Sequence, residues 1–186
     1  MSVPGIRDCL AAAIEFLDEL HVPHMLMGAH FLGFYGAGRA TRDVDLMLAS
    51  EGTDVLGQVR QNAEQRGFET DREWEGAYPD IQDVHLRLVW HEIPVDFMLP
   101  RDDHDRSACT RRRPHQLGGR TVWLVAPEDF ILQKLKVGRP RDFDDVIPFF
   151  VQHRDELDHP YLNSWALRLG VREELDYLWS QSAERP

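Results

Sequence analysis

Asp43 and Asp45 stand two residues apart, with Val44 between them and the apolar run Leu46-Met47-Leu48 behind. Successive side chains of a strand alternate faces, so on a strand both carboxylates point the same way. Two like charges held that close repel unless a cation sits between them. Oxygen-only ligands suit Mg²⁺, which commonly takes one or two carboxylates together with substrate phosphates. Upstream, the apolar run from His24 to Met27 leads into Gly28. A glycine between strand and helix lets a phosphate approach the backbone, where a helix N-terminus offers free N–H donors. Asp96 lies inside a third apolar run, Ile93 to Leu99. A lone aspartate there is costly if buried unpaired, and it is relieved if its strand lies beside that of Asp43 and Asp45. Three carboxylates, a glycine turn and a divalent metal describe phosphoryl-type transfer. Asp96 could complete the metal site or act as the general base, and the sequence leaves both open. Each residue also has a plainer reading: solvated acids at a strand edge, an outward-facing Asp96, an ordinary turn at Gly28.

Positioning these residues requires a small sheet. Apolar spacing predicts an amphipathic helix over 6–20, a strand at 24–27, a short helix over 29–36 and a strand over 43–49. A helix follows over 53–67, with Thr53 as N-cap and Gly67 as its stop. The polar stretch 68–82, with Trp74 and Tyr78, reads as loop or edge strand. Clean alternation over 84–90, the connection His91-Glu92 and the run 93–99 predict an antiparallel hairpin. Residues 100–120, with six arginines and three aspartates, read as a charged loop, and 121–126 as a strand. Pro127 opens a helix over 128–137. Gly138-Arg139-Pro140 ends it, and a helix over 142–154 is expected to kink or restart at Pro148. Two more short helices fall at 161–169 and 172–181. The pattern is α+β: a small mixed β-sheet with helices on one face, then a helical C-terminal part. Residues 1–126 form the core, and 127–186 pack on it as one unit.

The net charge of −11 argues against a general nucleic-acid binder. The triplet Arg111-Arg112-Arg113 could touch an RNA or nucleotide acceptor, and a solvated loop is the reading preferred for it. Cys9 and Cys109 are expected to be reduced thiols, and the nine histidines show no zinc-ligand spacing. No apolar run is long enough to span a bilayer, and no signal peptide is evident, so a cytoplasmic protein is expected.

These residues carry a resemblance. The chain resembles the nucleotidyltransferase fold superfamily, that of the polymerase-β palm. The family pattern is a strand, Gly-Gly or Gly-Ser, a short helix, Asp-x-Asp, and a third acid on a later strand; Gly28, Asp43, Asp45 and Asp96 match that order. It is most similar to small prokaryotic members, including the AbiEii-type toxin nucleotidyltransferases. In those an Arg-x-Thr-x-Asp-x-Asp run is common, here Arg39 to Asp45, and they share segments like Ala126 to Leu135 and Gly138 to Val146. The resemblance covers roughly residues 24–147. It implies Mg²⁺, or Mn²⁺ in its place, bound by Asp43, Asp45 and Asp96. It implies an NTP held by Gly28, Ala29, Arg39, Thr41, Lys134 and Arg141, with Lys134 on the phosphates. Asp142 and Asp145 would build or brace the site. The acceptor could be an RNA end, a protein or a small molecule such as an aminoglycoside. One departure matters: Ala29 stands where the family has Gly or Ser, so a phosphate-binding hydroxyl is missing. It leaves an alternative, a catalytically silent nucleotide- or partner-binding module, as in a toxin–antitoxin-like pair.

Overall fold

Strands whose residues alternate between two unlike faces build a seven-stranded mixed sheet. The computed structural model describes residues 4–50 and 54–183; Thr53, the expected N-cap, lies outside them. The strands are β1 (His24–Leu26), β2 (Val44–Leu48), β3 (Glu69–Thr70), β4 (His85–Trp90), β5 (Ile93–Met98), β6 (Arg113–Leu117) and β7 (Arg120–Leu124), in the order β3-β4-β5-β2-β1-β7-β6. β2 pairs with β5, and β1 with β7, in parallel; the other neighbours are antiparallel.

Helices cover both faces, not the single face expected from sequence. α1 (Ile6–Glu19) and α3 (Asp54–Asn62) lie on one side. There Leu10, Ile14, Leu17, Leu56 and Val59 pack on Leu46 and Leu48 of β2, Leu86 and Leu88 of β4, and Val95 and Phe97 of β5. The opposite face carries Met25 and Met47. They pack with α2 (Gly28–Phe34) and the C-terminal helices α6 (Pro127–Val137), α7 (Pro140–His153), α8 (His159–Leu169) and α9 (Arg172–Ala183). Phe31 of α2 is the joint: its ring stacks 4.2 Å from Phe130 of α6 and meets Phe149 of α7 edge-on at 5.2 Å. The unbroken apolar run Leu46-Met47-Leu48 is the trace of this burial on both faces.

Three stretches depart from the sequence reading. The polar segment 68–82 holds the short edge strand β3 and a helix, α4 (Arg72–Ala77), which Asp71 caps by accepting from the Trp74 N–H at 3.0 Å. The charged stretch 100–120 is ordered: α5 (Asp103–Arg111) is capped by Asp102, which accepts from the Asp105 N–H at 2.9 Å, and β6 turns into β7 through Gly118 and Gly119. Two of its arginines are structural. Arg111 pairs with Glu128 and Asp129, and Arg113 with Glu128, anchoring α5 and β6 to the buried start of α6. Finally, α7 runs unbroken through Pro148. Pro148 and Asp144, four residues back, are both exposed, so the carbonyl that loses its N–H partner faces water while Val146, Phe149 and Phe150 anchor the other side.

Phe31→Ala removes the ring that joins the sheet's helix to the C-terminal helices. It should destabilise the fold by about 3–5 kcal/mol, measured by urea unfolding.

Candidate functional site

The parallel register of β2 and β5 sets Asp45 opposite Asp96. Asp43 stands one residue before β2, on the same face as Asp45. Carboxylate oxygens of Asp43, Asp45 and Asp96 lie within 4.8 Å of one another. All three sit on the face away from α1, at the edge of the cover that α2 and α6 provide. Thr41 Oγ1 donates to Asp43 Oδ1 at 2.7 Å, and the His30 ring contacts the Asp43 carbonyl at 3.1 Å. The Met27 N–H donates to the Asp45 carbonyl at 2.9 Å, which holds the glycine turn against β2.

Gly28 is required here on two counts. Its φ is +62°, a left-handed value that side chains rarely adopt, and a Cβ on it would lie 2.0 Å from Asp45 Oδ2. The glycine therefore makes room for a carboxylate, whatever it does for a phosphate. That carboxylate accepts no hydrogen bond among the described residues. Burial, then the charges of Asp43 and Asp96, push its pKa from 3.8 up to about 6, against weaker pulls from Lys134 and Arg87.

Asp96 has a different environment. Burial alone would raise its pKa, but hydrogen bonds from His85 and Arg87 outweigh it and hold the group below the usual carboxylate range. Arg87 grips it with two bonds, Nε to Oδ1 at 2.8 Å and Nη2 to Oδ2 at 2.7 Å, and His85 Nε2 meets Oδ1 at 2.7 Å. Arg87 is the direct antiparallel partner of Asp96 across β4 and β5. Behind it, Trp74 of α4 lies 5.3 Å from the guanidinium and 4.5 Å from the His85 ring. Sequence reading missed His85 and Arg87. The available signal was the alternation His85-Leu86-Arg87-Leu88, whose polar members must share one face of the strand paired with that of Asp96.

The C-terminal helices bring the other residues. A cleft of about 330 Å³ is lined by Gly28, Ala29, Arg39, Thr41, the three aspartates, His85, Arg87, Lys134, Arg139, Arg141 and Asp142. Lys134 Nζ donates to Asp142 Oδ1 at 2.9 Å and to Asp145 Oδ2 at 2.7 Å. Arg39 closes on Asp145 through Nε at 2.5 Å and Nη2 at 3.0 Å, and Arg139 Nε reaches Asp142 at 2.8 Å. Lys134 thus bridges two aspartates, and the direct partner of Arg39 is Asp145, with Asp43 a weaker electrostatic neighbour. Asp145 does not line the cleft; it sits behind Lys134 and Arg39. Burial raises the pKa of both Asp142 and Asp145, but Arg139 and Lys134 outweigh it at Asp142, and Arg39 and Lys134 at Asp145, so both fall below 3.8. Arg141 is exposed at the rim of the cleft. Ala29 is buried, its backbone beside Gly28. A second acid–histidine group, Asp102, His104 and Asp105, is engaged by Lys136, which bonds both of its aspartates.

The fold is shared with solved structures. A protein from Thermotoga maritima described as a candidate nucleotidyltransferase superposes with a TM-score of 0.51 at 14% identity, over 79% of this chain and 95% of its own. The solution structure of the antibiotic-resistance factor ANT(2″)-Ia superposes with a TM-score of 0.52 at 14% identity, over 94% of this chain and 88% of its own. The chain therefore has the nucleotidyltransferase fold. No protein-family model and no curated protein sequence matches it.

Two outcomes follow from this geometry. Gly28→Ala should displace the Asp45 carboxylate and weaken any Mn²⁺ binding at the three aspartates, read by titration, while far-UV circular dichroism shows the fold retained. The pH dependences have opposite signs. Asp45, raised from 3.8 to about 6, binds its proton more tightly in the folded protein, so metal-free stability falls as pH rises across that window. Asp142 and Asp145, with lowered values, contribute stability above 3.8 that is lost as pH falls through their folded pKa values. Asp45→Asn should therefore stabilise the metal-free protein by about 3 kcal/mol above the Asp45 pKa and by nothing below 3.8. Urea unfolding on either side of the window measures it.

Proposed function

We propose that this chain is a Mg²⁺-dependent nucleotidyltransferase that moves an NMP from an NTP onto an acceptor hydroxyl, releasing pyrophosphate. The observation that carries this reading is the convergence of Asp43, Asp45 and Asp96 on one face of parallel neighbours, in a cleft also lined by arginines and a lysine. The donor set fits a hard divalent cation. It is all oxygen, its members lie within 4.8 Å, and a Mg²⁺ octahedron spans about 4.2 Å between opposite ligands. Asp45 in particular is a carboxylate without a donor among the described residues, its pKa pushed up to about 6, which a bound cation would relieve. When bound, Mg²⁺ would neutralise phosphate charge and polarise the reacting oxygens.

The chain's own residues then divide the work. Asp43, steadied by Thr41, and Asp45, seated against Gly28, are the metal ligands. Gly28 and Ala29 bring backbone close to the triphosphate, and Arg141 at the rim supplies positive charge to it. Arg39 and Lys134 each already answer an aspartate, so they act on the phosphates through the field of a braced network. With its pKa held low by His85 and Arg87, Asp96 is a weak proton acceptor, which favours a ligand or orienting role over that of general base. The fold likeness to an antibiotic-resistance factor and the net charge of −11 favour a small hydroxyl-bearing acceptor over long nucleic acid.

A second reading rests on Ala29. Without a hydroxyl at that position the chain could bind nucleotide and transfer nothing, serving as a partner-binding module, as in a toxin–antitoxin-like pair. Calorimetry with each NTP, with and without Mg²⁺, tests both. Metal-dependent binding should weaken by about 100-fold or more in Asp43→Asn and Asp45→Asn. Label from an α-labelled NTP should move to an acceptor in a cell extract. Binding without transfer favours the second reading, and no binding of any NTP removes both.

A further inference from the structure

We infer that Arg87 occupies the cation position at Asp96, so that the free protein takes one metal ion, at Asp43 and Asp45, and admits a second only when Arg87 lets go. This inference rests on the metal-site reading above and concerns how many ions that site takes.

The argument counts lone pairs. A carboxylate offers about four acceptor positions. At Asp96 three are filled: Oδ1 accepts from His85 Nε2 and Arg87 Nε, and Oδ2 accepts from Arg87 Nη2. The two-pronged grip of a guanidinium on a carboxylate is among the strong, directional pairings in proteins. Asp43, by contrast, accepts one side-chain bond, from Thr41, and the Asp45 carboxylate accepts none among the described residues. Three aspartates of like sign thus split into a neutralised one and an unneutralised pair. The unmet demand for a cation lies with the pair.

Arg87 is built into this position. β4 and β5 place it directly across from Asp96, and the Trp74 face of α4 backs the guanidinium from the other side. The arrangement therefore follows from strand register and a helix packed on the sheet edge, and not from a chance rotamer. A second divalent ion at Asp96 would have to sit beside a fixed positive charge, and Coulomb repulsion at that separation opposes it in a partly buried cleft.

Mn²⁺ alone is the probe, with free ion counted by electron paramagnetic resonance during titration of the full chain. Wild type should bind one ion. Arg87→Gln, and Arg87→Met, which keeps an apolar stem against Trp74, should bind two. Arg87→Lys, which keeps a cation, should bind one. Two ions in the wild type, or one in both neutral variants with the fold intact by circular dichroism, overturn the inference and leave the metal-site reading standing. No ion bound by any of the proteins overturns the metal-site reading, and the inference with it. The wild-type count needs no variant to fold, and a value of two is decisive against the inference.

Discussion

The parallel pairing of β2 with β5 is the contact on which the site depends. It is a non-local pairing, between segments some fifty residues apart, and it sets Asp45 and Asp96 in register. Carboxylates brought together by hydrogen-bonded backbone cannot separate to relieve their repulsion. The surroundings must answer it with counter-charge, protonation or a cation. All three responses are visible or available here: Arg87 and His85 at Asp96, a raised proton affinity at Asp45, and an oxygen-lined space between Asp43 and Asp45.

The same sheet separates chemistry from stability. Even-numbered residues of β2 and β4, and odd-numbered residues of β5, pack under α1 and α3, while their neighbours carry the acids, His85 and Arg87. Because the strand period is two, each residue packed under α1 and α3 puts its neighbours on the opposite face, where the acids, His85 and Arg87 stand beside the apolar Met25 and Met47. The C-terminal helices close one side of that face. They do so through the stacked rings of Phe31 and Phe130 and through a charge network in which Lys134 joins Asp142 to Asp145 and Arg39 ties α7 to the segment before β2. A lysine and an arginine beside the acids are thus already matched, and the cleft's electrostatics belong to the network more than to any one side chain.

Much of this was legible in order along the chain. The hairpin 84–99, the strand that carries Asp45 with Asp43 just before it, the glycine turn and the helices from 127 onward follow from local periodicity and turn residues, which act over a few positions. The errors share a cause. Helix α4, helix α5 and strand β6 lie in polar segments with weak apolar period. Their order comes from Asp71 and Asp102 as local caps and from Arg111 and Arg113 reaching Glu128 and Asp129, and those arginine pairings are made only once the chain is folded. The persistence of α7 through Pro148 has the same origin, since packing of one face overrides a local defect on the other.

By itself the sequence determined which residues could bind a cation and on which face of a strand each would stand, because the alternation of side chains is a property of the backbone alone. Tertiary structure decided what each of them faces. Whether Asp96 meets a metal or Arg87, whether Lys134 is free or paired with Asp142 and Asp145, and why Gly28 must lack a side chain all depend on neighbours distant in the chain. The physical reason is that charge and steric fit act through space, while the sequence lists its residues along a line.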